Sequence, residues 1–378
     1  MSRKLVTVRR VGTVQPIPGA DRIQLATVDG WAVVVKVGEF APNDRAIFFE
    51  IDSYLPGDDP RWGFLEVGFT VWNEMKGYKI KTAKLKGQIS QGILRTLNDF
   101  PEVAEVIKDL EEKHGVEKAE EMVRGMSFAE ALGVKKYEPP EPGSNVPGER
   151  PARPFPSFVQ KTDQERIQNL PGVFAAYADE VFQETTKMDG SSMTVYYLRE
   201  DSQIIETMEP VNPIKEPTVA SMKGRFGVCS RNIDLLEAGG GNFWAVARKN
   251  KLPEKLSNLN RNYAIQGELC GSSIQKNFEG FQPGFHEFFV FSVWDIDKQQ
   301  YLEPKAVEEL AAELNLKHVP VNGYYKLGDI ATEVKALLAR AEGKGINGKK
   351  REGIVLKQVD GPLSFKAISN SYLLKHGE

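Results

Sequence analysis

Cysteine and histidine are nearly missing from this chain: Cys229 and Cys270, with His114, His286, His318 and His376, are all that 378 residues contain. Two cysteines cannot build a disulfide framework or a four-cysteine zinc module, and the histidines stand at no metal-ligand spacing. Both cysteines read as small, reduced packing residues. No run of about 18 apolar residues occurs, and the opening MSRKLVTVRRVGTV has no uninterrupted apolar stretch, so neither a membrane span nor a secretion signal is expected and the chain reads as cytoplasmic. Neither sign of charge is in large excess. With a formal net charge of −3, any hold on a polyanion must come from local patches.

What is present is enough for two domains, since 41% of the residues are apolar. Residues 1–100 read as short strands: VTVRRVGTVQPI, DRIQLATV, WAVVVKV and RAIFFEI are rich in Val, Ile and Phe and are broken by PGAD, DG, GEF and PND. Strands this dense predict a small barrel, OB-like by preference, with a role in binding nucleic acid. In YKIKTAKLKGQISQGIL, from Tyr78 to Leu94, strand alternation places Lys79 and Lys81, then Lys84 and Lys86, on one face. That face suits a phosphate backbone, and equally a solvated sheet edge. Val103, Val106, Ile107 and Leu110 recur at helical spacing, so residues 101–154 read as connecting helices followed by a proline-rich linker, YEPPEPGSNVPGERPARPFPSF. Beyond it, residues 155–378 mix strands (MTVYYLRE, YAIQGEL, FFVFSVWDI) with helices (PKAVEELAAELN, IATEVKALLARAE). The fold class expected is α+β: an N-terminal OB-like β-barrel, then a domain built on antiparallel sheet.

One short element raises a chemical question. ETTKMDGSSMTVYY puts Lys187 three places before Gly190, with Asp189 between, where an apolar strand begins. A K-x-D-G element alone is weak evidence. Later segments add Glu268 at a strand end in YAIQGELCG, Arg231 in FGVCSRN, Glu352 in REGIVLK and Lys366 in LSFKAIS. A triphosphate site needs this set: an amine nucleophile, cations for phosphates, carboxylates for a metal, and an aromatic face for a base.

In this order the segments resemble the covalent nucleotidyltransferases, and among them the ATP-dependent RNA ligases. Motif I lies at Lys187–Gly190, motif III at Gly267–Gly271, motif IIIa ends at Trp294 and Asp295, motif IV is Glu352 and Gly353, and motif V surrounds Lys366. The lead-in FPSFVQKTDQERIQN, with GADRIQLATV, FFEIDSYLP and LKGQISQGIL, is similar to the branch that carries an OB-like domain before the catalytic one. The chain stops twelve residues after Lys366, which leaves no room for the C-terminal OB domain of DNA ligases and capping enzymes. Motif V has one lysine, flanked by Ser364 and Ile368, and either Lys357 or Lys375 is left to supply a second.

The resemblance implies ATP with Mg²⁺, Mn²⁺ being able to substitute, and nicked RNA or an RNA-containing duplex as partner. Lys187 would attack the α-phosphorus to give lysyl-AMP, the RNA 5′-phosphate would take the AMP, and a 3′-OH would displace it. Since a free lysine titrates near pH 10.4, Mg²⁺ with Lys366 and Arg231 would have to depress Lys187. Asp189, Glu268 and Glu352 would hold the metal through its waters. Thr186 and Arg231 would join the ATP-binding groups, Arg166 would meet the leaving pyrophosphate, and Trp294, with Phe291 second, would stack on adenine. Two other readings remain: a nucleotide- and RNA-binding protein with a degenerate transferase domain, and a GTP-using capping-type transferase. Intact Lys187, Glu268, Glu352 and Lys366 favour the ligase.

Overall fold

In the computed structural model, residues 3–138 and 152–376 are described. The N-terminal strands form where β-branched and aromatic residues alternate: Val6–Pro16, Ile23–Val28, Trp31–Lys36 and Arg45–Phe49. With Ile93–Thr96 they make a five-stranded antiparallel sheet. A second sheet holds Lys135–Lys136, Ser53–Pro56, Met75–Lys79 and Phe69–Trp72. Leu55 and Tyr78 from this second sheet share one core with Val6, Val33, Ile47 and Phe49 from the first, so the OB-like expectation holds.

Two N-terminal expectations are corrected. Tyr78–Leu94 is not one strand. Thr82–Leu85 and Gln88–Gln91 form a hairpin whose turn is Lys86 (φ 47°) and Gly87 (φ 84°). Two consecutive left-handed residues are what a two-residue hairpin of matching twist requires. Lys79 therefore ends one strand, while Lys84 and Lys86 ride on a separate hairpin, and the four lysines do not form one stripe. The helices Pro101–His114 and Val116–Gly125 do more than connect, because Val103, Ile107 and Val123 complete the N-terminal core. Of the proline-rich stretch, 139–151 lie outside the described residues. Ala152–Pro154, read as unable to hold structure, pairs antiparallel with Ile233–Leu235 as an edge strand, where a proline removes no needed donor.

The C-terminal part is two sheets. An eight-stranded sheet runs from Ala152–Pro154 through Ile233–Leu235, Arg225–Cys229, Ser191–Leu198, Tyr263–Gly271 and His286–Asp295 to Gln300–Tyr301, with Lys317–His318 added in parallel to His286–Asp295. The helices Gly241–Lys249, Leu252–Leu259 and Pro304–Glu313 cover one face through Phe243, Trp244, Leu256 and Val307. A five-stranded sheet orders Glu165–Arg166, Ser364–Ile368, Gly353–Gln358, Val181–Lys187 and Val321–Lys326. It packs on Val334–Ala341 through Phe182, Ile354, Phe365 and Leu337. The α+β class is as expected, and both cysteines are buried and free.

The two ends of the chain meet in one core. Ile368, with Tyr372 and Leu373 of the helix Asn370–His376, is buried among the N-terminal apolar residues. Across the same interface the Gly30 amide donates to Gln168 O (2.8 Å), and Trp31 Nε1 donates to Asn169 Oδ1 (2.6 Å). Among the described residues no helix is long and apolar enough to cross a membrane.

Candidate active site

The chain crosses from one C-terminal sheet to the other at Lys187. This residue ends the strand Val181–Lys187 of the five-stranded sheet, and Ser191 begins Ser191–Leu198 of the eight-stranded one. Gly190 makes that crossing possible. A Cβ there would lie 2.4 Å from Leu269 O and 2.9 Å from Glu268 Cγ, so only glycine lets the turn press against Tyr263–Gly271. Cross-strand register does the rest: Ser192 lies opposite Glu268, and Lys187 lies opposite Gly353, next to Glu352. The K-x-D-G element thus seats its lysine between two carboxylates from distant strands.

Two adjoining cavities open around it. The larger, about 320 Å³, is bounded by Asp189, Glu352 and Arg166 together with Asp52, Lys79 and Tyr137 from the N-terminal part. The smaller, about 110 Å³, is lined by Thr186, Met188, Phe291, Val319, Val355 and Lys357. Asp163, Lys187, Ser192, Arg231, Glu268 and Lys366 belong to both.

One wall is acidic. Lys187 Nζ donates to Glu352 Oε2 at 2.7 Å. Burial opposes the charged amine, but Glu352, then Glu268 and Asp189, outweigh it and hold the ammonium above its ordinary value. From the sequence, Lys187 is expected to be lowered by Mg²⁺, Lys366 and Arg231; in the structure its strongest charged neighbours are the carboxylates. The carboxylates respond in turn. Burial, reinforced by the Glu352 and Glu268 charges, pushes Asp189 up to about 8, although Tyr372 hydrogen-bonds it. Burial pushes Glu268 up to about 7, with Lys187 pulling against it. Glu279, whose Oε1 accepts the Asp189 amide at 3.2 Å, is raised by burial as well. Asp189 Oδ2 and Glu279 Oε2 are buried without a hydrogen-bond partner among the described residues.

The other wall is basic. Lys366 lies 3.7 Å from Asp163 and is lowered to about 7, by burial first and then by Arg166 and Lys187. Arg166 is no surface charge: it is 5% exposed, registered beside Lys366 in parallel pairing, and its Nη2 donates to Asp52 Oδ2 at 3.0 Å. Arg231 is exposed at the rim, paired with Glu138 at 3.6 Å and Asp163 at 3.8 Å. Thr186 Oγ1 bonds Asn322 Oδ1 at 3.1 Å. The second lysine at this wall is Lys357. It lies directly opposite Ser364 across the strand pair, reaches Phe291 O and Ser292 Oγ (2.8 Å), and is lowered to about 7 by burial. Lys375 is exposed on the last helix and borders neither cavity.

The structure places the two aromatic candidates differently. Trp294 borders neither cavity at Lys187; its Nε1 donates to Phe158 O at 3.0 Å, and it is buried with Tyr196, Leu198 and Ala264 beneath the lead-in segment. Phe291 does line the smaller cavity. It is the extra residue of a β-bulge, where Gln266 pairs with Ser292 but Gly267 pairs with Val290, and a bulge re-aims a side chain in a way that strict alternation does not foresee. Among the four lysines assigned to nucleic acid, Lys79 stands at the larger cavity with its Nζ 4.2 Å from the Tyr137 ring centroid, whereas Lys81, Lys84 and Lys86 are exposed. Asp52, Asp163, Glu279 and Tyr372 were not singled out from the sequence. Asp163 and Asp52 carried a signal, since they lie in the quoted segments FPSFVQKTDQERIQN and FFEIDSYLP.

A lysine held as an ammonium by Glu352 thus stands between an acidic and a basic wall. The RNA ligase family model matches residues 180–370, and an OB-fold domain model matches residues 5–97. Among solved structures, Naegleria gruberi RNA ligase with PPi is 38% identical, with 99% of each chain covered and a TM-score of 0.82. A mutant of that ligase with AMP and Mn is 39% identical, again with 99% of each chain covered and a TM-score of 0.82. Comparison with curated proteins gives no match. The chain belongs to the RNA ligase family.

Proposed function

We propose that this RNA ligase seals 3′-OH/5′-phosphate ends at nicks in RNA-containing duplexes, using ATP and a divalent metal ion, with Lys187 as the nucleophile. The carrying observation is the Lys187 amine, 2.7 Å from Glu352 and flanked by both walls. The Naegleria gruberi ligase structures with ATP and Mn support the choice of nucleotide and metal. In this reading residues 1–136 form the duplex-binding part and residues 155–378 the catalytic part.

A divalent cation fits the acidic wall. Its donors are hard oxygens, and Asp189 Oδ2 is buried without a hydrogen-bond partner among the described residues. In this reading Asp189, Glu268 and Glu352 would act on a hydrated ion through its waters. Bound there, the ion would supply positive charge against the phosphates and weaken the hold of Glu352 on the ammonium.

In the proposed step Lys187 gives one proton to solvent to become a nucleophile and a second as its bond to the α-phosphorus forms, while the bond from that phosphorus to the bridging oxygen breaks and pyrophosphate leaves. Lys366 and Arg231 face the phosphates and stabilise the charge developing there. Arg166 faces the departing pyrophosphate. Phe291 offers its ring to adenine in the smaller cavity, and Thr186 and Lys357 complete that pocket. The AMP next passes to the RNA 5′-phosphate, and the 3′-OH displaces it.

Incubation with labelled ATP or GTP and Mg²⁺ or Mn²⁺, followed by a nicked duplex, tests the reading. An AMP adduct and a sealed strand support it; a GMP adduct points to capping-type transfer, and no adduct to a nucleotide-binding protein without chemistry.

A further inference from the structure

Arg166 is a buried guanidinium with most of its capacity unspent. It carries five N–H donors. Among the described residues Nε and Nη1 have no hydrogen-bond partner, and only Nη2 is engaged, by Asp52. Leaving buried donors on a charged group unmet is costly, so such a group is one that a ligand completes. Arg166 borders the larger cavity beside Lys187 and Lys366, and an anion there would be that ligand.

What aims this arginine comes from the other end of the chain. Asp52 holds a left-handed turn (φ 69°), its amide donating to Ile80 O (3.0 Å) and its carbonyl accepting the Tyr137 amide (2.7 Å). Its carboxylate is braced by Arg3 Nη1 at 2.6 Å, and Arg3 also donates to Glu50 at 2.7 Å. Glu50 in turn accepts from Asn169 at 3.2 Å, three residues after Arg166. The N-terminal part therefore grips the segment carrying Arg166 at two points.

We propose that Asp52 is a positioning residue for adenylylation: by holding Nη2, it fixes the guanidinium so that Nε and Nη1 face the β- and γ-phosphates of ATP and the pyrophosphate that leaves. The N-terminal part is thereby a component of the first chemical step as well as a surface for RNA. This inference rests on the reading of Arg166 given above.

Full-length Asp52→Asn, Asp52→Ala and Arg166→Ala are each compared with wild type, and with the double variant Asp52→Ala/Arg166→Ala. The KM for ATP in adduct formation is measured first. On adenylylated enzyme, pyrophosphate-dependent release of ATP and AMP transfer to a 5′-phosphate RNA strand are then measured on one sample, so that their ratio is independent of the folded fraction. The KM for ATP is expected to rise about tenfold in both Asp52 variants, and the ratio of pyrophosphate reaction to AMP transfer to fall by a similar factor. The double variant should be no worse than Arg166→Ala alone, since the two residues act as one unit. Wild-type KM and ratio in Asp52→Asn, or additive losses in the double variant, overturn the positioning role. Wild-type behaviour of Arg166→Ala overturns the reading of Arg166 itself, and the proposal with it.

Discussion

Lys187 and Lys366 border the same cavities, and their surroundings drive them in opposite directions. Lys187 is held above its ordinary value by carboxylates, whereas Lys366 is brought down to about 7 by burial and by neighbouring cations. The difference shows how the site is divided. The acidic wall keeps Lys187 charged, whereas the basic wall disfavours the charge on Lys366; in the proposed reading a cation would compete for the carboxylates of the first and phosphate would face the second. Each wall is incomplete in a way that one part of a metal–triphosphate would satisfy.

The most drastic way to break this comparison is Lys187→Ala. It should lower adduct formation below detection, by about 10⁴-fold or more, as removal of a covalent nucleophile does, while a pre-adenylylated strand is still joined. An adduct persisting in this variant would overturn the nucleophile. Next in size, Glu352→Ala removes the partner of the ammonium and an acid of the metal wall; both adduct formation and sealing should fall by about 10²-fold across a Mg²⁺ titration. Wild-type curves would leave the acidic wall without its proposed role.

A smaller contrast separates the two aromatic residues. Phe291→Ala should raise the KM for ATP about tenfold, since a stacked base contributes roughly 1–3 kcal/mol. Trp294→Ala should instead leave KM near wild type and lower stability by about 3–5 kcal/mol through a core cavity, read by thermal melting. Matching KM shifts in both would return Trp294 to the nucleotide.

The subtlest expectation concerns stability. A lysine with a folded-state value near 7, against 10.5 in the free side chain, makes the unfolded chain bind more protons between those values, so its contribution to stability rises with pH through that window and is adverse below it. Lys366→Met should therefore melt above wild type at pH 6 to 7, by about 2 °C or more, with the gap closing toward pH 10, even as adenylylation is lost. A variant melting below wild type at pH 6.5 would mean that Lys366 is satisfied in the resting site.

Legibility followed the range of the determining interaction. Val6–Pro16, Ile23–Val28, Trp31–Lys36 and Arg45–Phe49 were readable because side-chain pattern and strand agree locally, and Lys187, Glu268, Glu352 and Lys366 because each sits in a recognisable short string. Phe291 was ranked below Trp294 because a bulge is set by how two strands pair and not by either alone. The lysine stripe was misread at Lys86 and Gly87, whose turn conformation splits the segment. Glu279 and Tyr372 had no local signature at all, and Asp52 and Tyr372 come to the site because the first and last segments fold together. A fragment beginning near Pro151 would bare Ile368, Tyr372 and Leu373 and leave Arg166 without Asp52.

That shared core has a bearing on the order of events during synthesis. Domains made early usually fold before later ones emerge. Here the hydrophobic contacts of Tyr372 and Leu373 become available to the first part only when the last segment has been translated. The nascent N-terminal part, though rich in strands, would leave the ribosome with an apolar recess unfilled, and closing it is a long-range contact of the kind that slows folding. The N-terminal core is thus complete only with the last helix in place, and a truncated translation product would lack those contacts.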